Sequence, residues 1–162
     1  MNTVVKLIST CMLLLLAIAC AKKDDAIKNI VLADARMDNQ IQAYLSAHNE
    51  TAVRDASGLY YRIVQQGDSI HFVKASSVPS LIYANALLSG EVVGTSFGPT
   101  DFDQRKLKNH IPGWQIGLQK ISLGGKIRLY IPPALAYGST GVPGVIPANV
   151  VLISDVQLVS IK

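Results

Sequence analysis

Few side chains in this 162-residue chain could do acid–base, covalent or metal chemistry. His48, His71 and His110 stand alone, without the spacing that puts two ligands on one helix face. The chain has two cysteines, Cys11 and Cys20, both near the N-terminus, so a cysteine–histidine zinc set is not expected. Asp101 and Asp103 bracket Phe102 in a loop-like stretch with no base or nucleophile beside them. The run Gly138-Ser139-Thr140-Gly141-Val142-Pro143-Gly144 is glycine-rich but opens no helix, so it is not a phosphate cradle. No nucleophile elbow is present. What remains is an aromatic and aliphatic set with almost no charge: Tyr83, Ile111, Trp114, Tyr137 and Ile146. Such a set can bind an apolar ring, and it needs neither metal nor cofactor.

The elements that must position this set are readable. Trp114, Leu118 and Ile121 recur at helical spacing after Pro112-Gly113, and Gly124-Gly125 stops the helix. Lys126 to Ile131 alternates strictly, which predicts a half-buried strand ended by Pro132-Pro133. Ala134 to Asn149, broken by glycine and proline, predicts a long ordered loop, and Val150 to Ile161 a final strand. Upstream, Leu59 to Gln65 reads as a strand closed by Gly67-Asp68, Ile70 to Val73 as another short one, and Leu81 to Leu88 as an apolar segment before Ser89-Gly90. Gly94 to Arg105 reads as loop. One short helix on an antiparallel sheet is an α+β layout.

The order and spacing of Ile111-Pro112-Gly113-Trp114, Gly124-Gly125-Lys126, Ile131-Pro132-Pro133, Leu135-Ala136-Tyr137-Gly138, Val145-Ile146-Pro147-Ala148-Asn149 and Asp155-Val156-Gln157-Leu158 resembles the FKBP family of peptidyl-prolyl isomerases. The match is continuous from His110 to Lys162 and fainter at Ser57 to Tyr61. The resemblance implies five or six antiparallel strands curved around the Trp114 helix, with a shallow pocket between them. Trp114 would be the floor, flanked by His110 and Ile111, and the Ile111 N–H would hold a substrate carbonyl. Tyr137 would donate a hydrogen bond, Ile146 would close the rim and Tyr83 would form a wall. Proline-containing polypeptides would be the partners, and no cofactor is implied.

The resemblance breaks at two places. The Phe-Asp pair that usually follows the turn after the pocket tyrosine is Val93-Gly94 here, so the acid is missing. Ser154 stands where the family has an aromatic wall, among Leu152, Val156 and Leu158 on one strand face. Phe97, Phe102 or the Ala75–Ser80 loop are the candidates to fill these gaps. Two functions follow as alternatives: a working isomerase that assists folding of exported proteins, or a binding and chaperone module of the same fold with weak or no catalysis.

The N-terminus carries its own reading. Lys6 followed by the apolar run Cys11 to Ala19 has the form of an export signal, too short to span a bilayer. Leu16-Ala17-Ile18-Ala19-Cys20 resembles the bacterial lipobox, which implies lipid attachment at Cys20. This divides the chain into a signal peptide at 1–19, a lipidated tether with a helix at 20–56, and an FKBP-like domain at 57–162. The helix is expected from Asp24 to about Asn49, on the spacing of Ile30, Met37, Ile41, Tyr44 and Leu45. It reads as a tether packed on its domain, with a dimerising helix as the alternative; a monomer is expected. Ala21 after the cysteine fits an outer-membrane lipoprotein, on its periplasmic or surface face. Net charge is +4, with no basic run interleaved with aromatics, so nucleic acid is not an expected partner.

Overall fold

A computed structural model describes residues 35–162. The proposed signal segment, Cys20 and residues 24–34 of the expected helix lie outside the described residues. Helix α1 covers residues 35–47. Six strands follow: β1 (Val53–Arg54), β2 (Tyr60–Gln65), β3 (Pro79–Leu87), β4 (Val92–Thr95), β5 (Lys126–Ile131) and β6 (Leu152–Ile161), with helix α2 (Pro112–Leu118) between β4 and β5. They form one antiparallel sheet in the order β1-β2-β5-β6-β3-β4. The expected α+β architecture, with one short helix and a preceding N-terminal helix, is therefore what the chain adopts. Among the described residues no helix is long and apolar enough to cross a membrane.

Alternation sorts the sheet's faces. Ile127, Leu129 and Ile131 of β5 join Leu152, Val156 and Leu158 of β6, Leu81 and Leu87 of β3, and Trp114 and Leu118 of α2 in the main core. α2 starts with Pro112 in the first turn, where its missing N–H costs nothing. Gly113 and Gly117, four apart, face β5. A Cβ on Gly113 would sit 2.4 Å from Ile131 Cγ2, and one on Gly117 2.6 Å from Leu129 Cδ2. Each glycine gives up about 1 kcal/mol of helix propensity, and in return the helix lies close enough to the sheet to seat Trp114 over its centre.

The opposite face of β5 is also covered. Tyr60, Tyr130 and Ile153 are register partners across β2, β5 and β6, and all three are buried. Ile41 and Leu45 of α1 are buried too, and the Tyr44 ring lies 6.0 Å from that of Tyr130. The chain leaving α1 places Glu50 on the Tyr130 hydroxyl and, at 2.7 Å, on Arg128, which also holds Asp155 at 2.7 Å.

Residues 40–162 form one compact unit, and β1 joins the sheet because Val53 and Arg54 pair with Tyr61 and Tyr60. Three expectations need amendment. Ile70–Val73 is not a strand, since Asp68 Oδ1 accepts from the Ile70 and His71 N–H groups and curls the chain, leaving one bridge from Phe72 to Ser122. Gly94 lies inside strand β4 rather than in a loop, held opposite Asn85. α2 ends at Leu118 rather than Ile121, and a turn bonding Lys120 N–H to Gly117 O still buries Ile121.

Candidate functional site

Four rings meet above the sheet at the start of α2. Trp114 is the floor and is 4% exposed. The Tyr83 ring stands edge-on to it at 5.3 Å, and Phe102 at 5.7 Å. Tyr83 and Phe102 stack at 5.5 Å, and His110 closes the ring at 5.0 Å from Phe102 and 5.5 Å from Trp114. With Ile111 and Tyr137 they bound a cavity of about 160 Å³. That is below the size of pockets for drug-sized ligands and suits a single small ring.

Each wall has a local cause. Tyr83 and Asn85 lie two apart on β3 and so share a face. His110 and Ile111 follow the 3₁₀ turn Leu107–Asn109, which the Ala75–Ser80 loop anchors by accepting hydrogen bonds from Leu107 at 2.8 Å and Lys108 at 3.0 Å. Tyr137 rides the long loop, which Val142 and Ile146 cross-link and in which Asn149 N–H donates to Gly138 O at 2.9 Å. Gly141 in that loop has φ +65°, and a Cβ there would lie 2.3 Å from Ile146 O, so only glycine closes it.

Phe102 occupies the aromatic gap; Phe97 is fully exposed and the Ala75–Ser80 loop does not reach the cavity. Phe102 is held by an unusual backbone. Phe102, Asp103 and Gln104 have φ of 52°, 57° and 60°, three consecutive left-handed residues without a glycine. Asp101 stabilises the turn: its carbonyl accepts from Arg105 N–H at 2.9 Å and its carboxylate from Gln104 N–H at 3.2 Å. Lys162 holds the same carboxylate at 3.0 Å.

Beneath the floor runs a polar relay. Trp114 Nε1 donates to Ser154 Oγ at 2.9 Å, and Ser154 Oγ donates to Asn85 Oδ1 at 2.6 Å. Ser154 is fully buried and Asn85 is 6% exposed. Leu129, Ser154, Asn85 and Gly94 are direct partners across β5, β6, β3 and β4. Gly94 thus faces Asn85: a Cβ on it would lie 3.9 Å from Asn85 Nδ2 and 3.8 Å from Tyr83 Cε2.

The sequence-derived site residues divide in two groups. Tyr83, His110, Ile111, Trp114 and Tyr137 line one cavity. Val93, Ile146 and Ser154 do not line it. Val93 packs against the core beside Gly94, Ile146 is core beneath the long loop, and Ser154 sits behind the indole rather than beside the cavity. Asn85, Arg105 and Asn109 line it without having been expected, and Phe102, one of the candidates for the aromatic gap, lines it too. Asn85 left a signal, a polar residue sharing the apolar strand face of Leu81, Tyr83 and Leu87.

The cavity offers donors at its edge. The Ile111 N–H and the Tyr137 hydroxyl make no hydrogen bond among the described residues. Burial pushes the Tyr137 hydroxyl above its ordinary pKa, so it remains a donor. Burial likewise pushes the His110 imidazole down, outweighing the upward pull of the Arg105 backbone, and its Nε2 is buried without a partner. A neutral histidine is thus part of the wall. No carboxylate and no nucleophile border the space, and among the described residues no three His, Cys, Asp or Glu side chains gather as a metal site.

The sequence profile of the FKBP-type peptidyl-prolyl cis-trans isomerases matches residues 73–159. This chain belongs to that family. It is 37% identical over 87% of its length to the FKBP-type peptidyl-prolyl cis-trans isomerase FkpA of Buchnera aphidicola, covering 57% of that protein. It is 40% identical over 70% of its length to FkpA of Escherichia coli K12, covering 42%. The chain thus spans about half the length of these curated relatives. The crystal structure of FkpA from Escherichia coli superposes with a TM-score of 0.68 at 33% identity, over 91% of this chain and 70% of that one. Within this FKBP fold, the absent acid at Gly94 on β4 and the absent aromatic at Ser154 on β6 fall on the two strands that flank β3, and they meet at one β3 side chain, Asn85.

Proposed function

We propose that this protein is a peptidyl-prolyl cis-trans isomerase acting on exported polypeptides. One observation carries the reading. A ring-sized cavity is floored by Trp114, with two unclaimed donors, Ile111 N–H and Tyr137 OH, at its edge. Rotation about an X-Pro bond faces a barrier of about 18–20 kcal/mol. The twisted amide has lost resonance and is less polar than the planar one. An apolar wall around the proline ring, with donors fixed where the carbonyl must turn, binds that twisted state better than the ground state. About 4 kcal/mol of such preference gives a thousand-fold acceleration. No proton is transferred, which agrees with a lining that lacks carboxylate and nucleophile. In this reading Trp114 carries the ring, Tyr83, Phe102 and His110 wall it, Ile111 holds the carbonyl and Tyr137 steadies the neighbouring backbone.

The anchor belongs to the same proposal. Leu16 to Cys20 supports lipidation at Cys20, with residues 1–19 removed and a monomeric domain held at the outer membrane. Palmitate labelling that survives Cys20→Ser would refute it.

A binding module with weak catalysis is the second reading, favoured by Gly94, which leaves the pocket without the family's acid. A protease-coupled assay on a proline tetrapeptide separates the two. No acceleration at micromolar protein, with the proline ring still quenching Trp114 fluorescence, leaves the binding module standing.

A further inference from the structure

The cavity's charge is unusual for its size. Arg105 sits at the mouth, its guanidinium 5.6 Å from the centre of the Phe102 ring. It is exposed and forms no ion pair among the described residues. The two acids of its own loop do not serve it: Lys162 holds Asp101 at 3.0 Å, and Asp103, also exposed, makes no ion pair with it. Gly94 leaves bare the position from which an acid would face the cavity. Opposite it stands a neutral amide. Because Ser154 donates to Asn85 Oδ1, the free end of Asn85 is its Nδ2, another donor. Arg105's field reaches both sides of the space, acting to lower the pKa of His110 and of Tyr137. With His110 neutral, Arg105 is the one full charge on the lining.

We propose that the pocket selects X-Pro bonds in which an acidic residue flanks the proline, with Arg105 as the specificity residue. This rests on the isomerase reading. The cavity admits one ring, so the flanking side chains lie at the mouth, where the guanidinium can take a carboxylate in bidentate form. A cation at an exposed mouth acts mainly by discrimination: it attracts an acid and repels a base.

The test measures cis–trans exchange by NMR with the full chain and three peptides that differ only in Glu, Leu or Lys before the proline, and again with the same residues after it. In low salt the Glu peptide should exceed the Lys peptide in kcat/KM by about fivefold or more in at least one position. Salt at about 1 M, where the Debye length is about 3 Å, should erase the gap. Because the chain carries net charge +4, general steering must be separated from local recognition. Arg105→Gln should bring the ratio near one, and Arg105→Lys should keep most of it. Lys106→Gln, an equal loss of charge at an exposed neighbour outside the lining, should leave the ratio unchanged. A ratio within twofold of one in both positions, or one that persists in Arg105→Gln, overturns the proposal while the Leu peptide still reports a working isomerase. If no peptide is accelerated, the isomerase reading falls and this inference falls with it.

Discussion

Replacing Ser154 with alanine removes one oxygen, yet it strands two partners. Trp114 Nε1 loses its acceptor at 2.9 Å, and Asn85 Oδ1 loses its donor at 2.6 Å. Each buried polar atom left unpaired costs about 1–3 kcal/mol. Asn85 borders the cavity and can regain a water, so its share falls at the low end. The indole N–H lies beneath the floor, where a missing hydroxyl leaves too little room for water. The sum is about 2–4 kcal/mol, or a Tm about 6–14 °C lower for a unit of this size. Urea unfolding gives the stability, and Trp114, the single tryptophan, gives a site-specific signal. Its emission should shift in the folded variant as the ring loses its anchor. Asn85→Ala and the double variant complete a cycle whose coupling should exceed about 0.5 kcal/mol. A serine merely tolerated among aliphatics would behave otherwise, with alanine within about 0.5 kcal/mol of the parent. That result, with an unchanged spectrum, would refute the relay.

Three further outcomes follow from the same geometry. Phe102→Ala should lower kcat/KM by about three- to tenfold through loss of the stacked wall, whereas Phe97→Ala, at a fully exposed ring, should leave it unchanged in the same exchange assay. Gln104→Gly should raise the urea midpoint, by about 0.5–1 kcal/mol in stability, because glycine adopts φ 60° without the Cβ clash; a loss would mean that the left-handed turn is not strained. The pH dependence is set by carboxylates. Burial raises the Glu50 pKa, but hydrogen bonds from Tyr130 and Arg128 outweigh it, and the Lys120 hydrogen bond lowers Asp55 to about 2. Both folded values lie below the unfolded ones, so this stability is present above the ordinary carboxylate range and is lost on acidification, for Asp55 between 3.8 and about 2. Urea midpoints should fall over that range, and the fall should shrink in Glu50→Gln and Asp55→Asn.

Parts of this molecule can be read from periodicity because their neighbours are local or repetitive. The alternation of Lys126 to Ile131 and the spacing of Trp114 and Leu118 report one buried face each, and both elements form. The second covered face of β5 is not readable in this way, since Tyr130 is buried by a helix some eighty residues earlier in the chain. Gly94 hides strand β4 because a glycine signals a loop, yet pairing with Asn85 extends the strand through it. Phe102 is the hardest case. Nothing in Phe-Asp-Gln favours three left-handed residues; the turn exists because Asp101, tied to Lys162, accepts its N–H groups. Asn85 was accessible to the same reasoning that marked Ser154 as anomalous, since both place a polar atom on an apolar strand face.

The two departures from the family pattern meet at that shared anomaly. Ser154 and Asn85 are cross-strand partners, and Asn85 and Gly94 are the next pair along the same row. A buried hydroxyl at 154 is tolerable when its proton and its oxygen each find a partner; Trp114 supplies the donor and Asn85 the acceptor. An amide at 85 in turn fits because Gly94 opposite it has no side chain. An aromatic at 154 would take the volume that the hydroxyl and the amide share and would sever the indole's anchor, while Phe102 already holds the neighbouring wall. The three positions therefore form one unit, joined by the Ser154–Asn85 hydrogen bond and the pairing of Asn85 with Gly94. The pocket keeps its ring-sized space, with the Asn85 amide and no acid on that side and Arg105 as the one full charge on its lining.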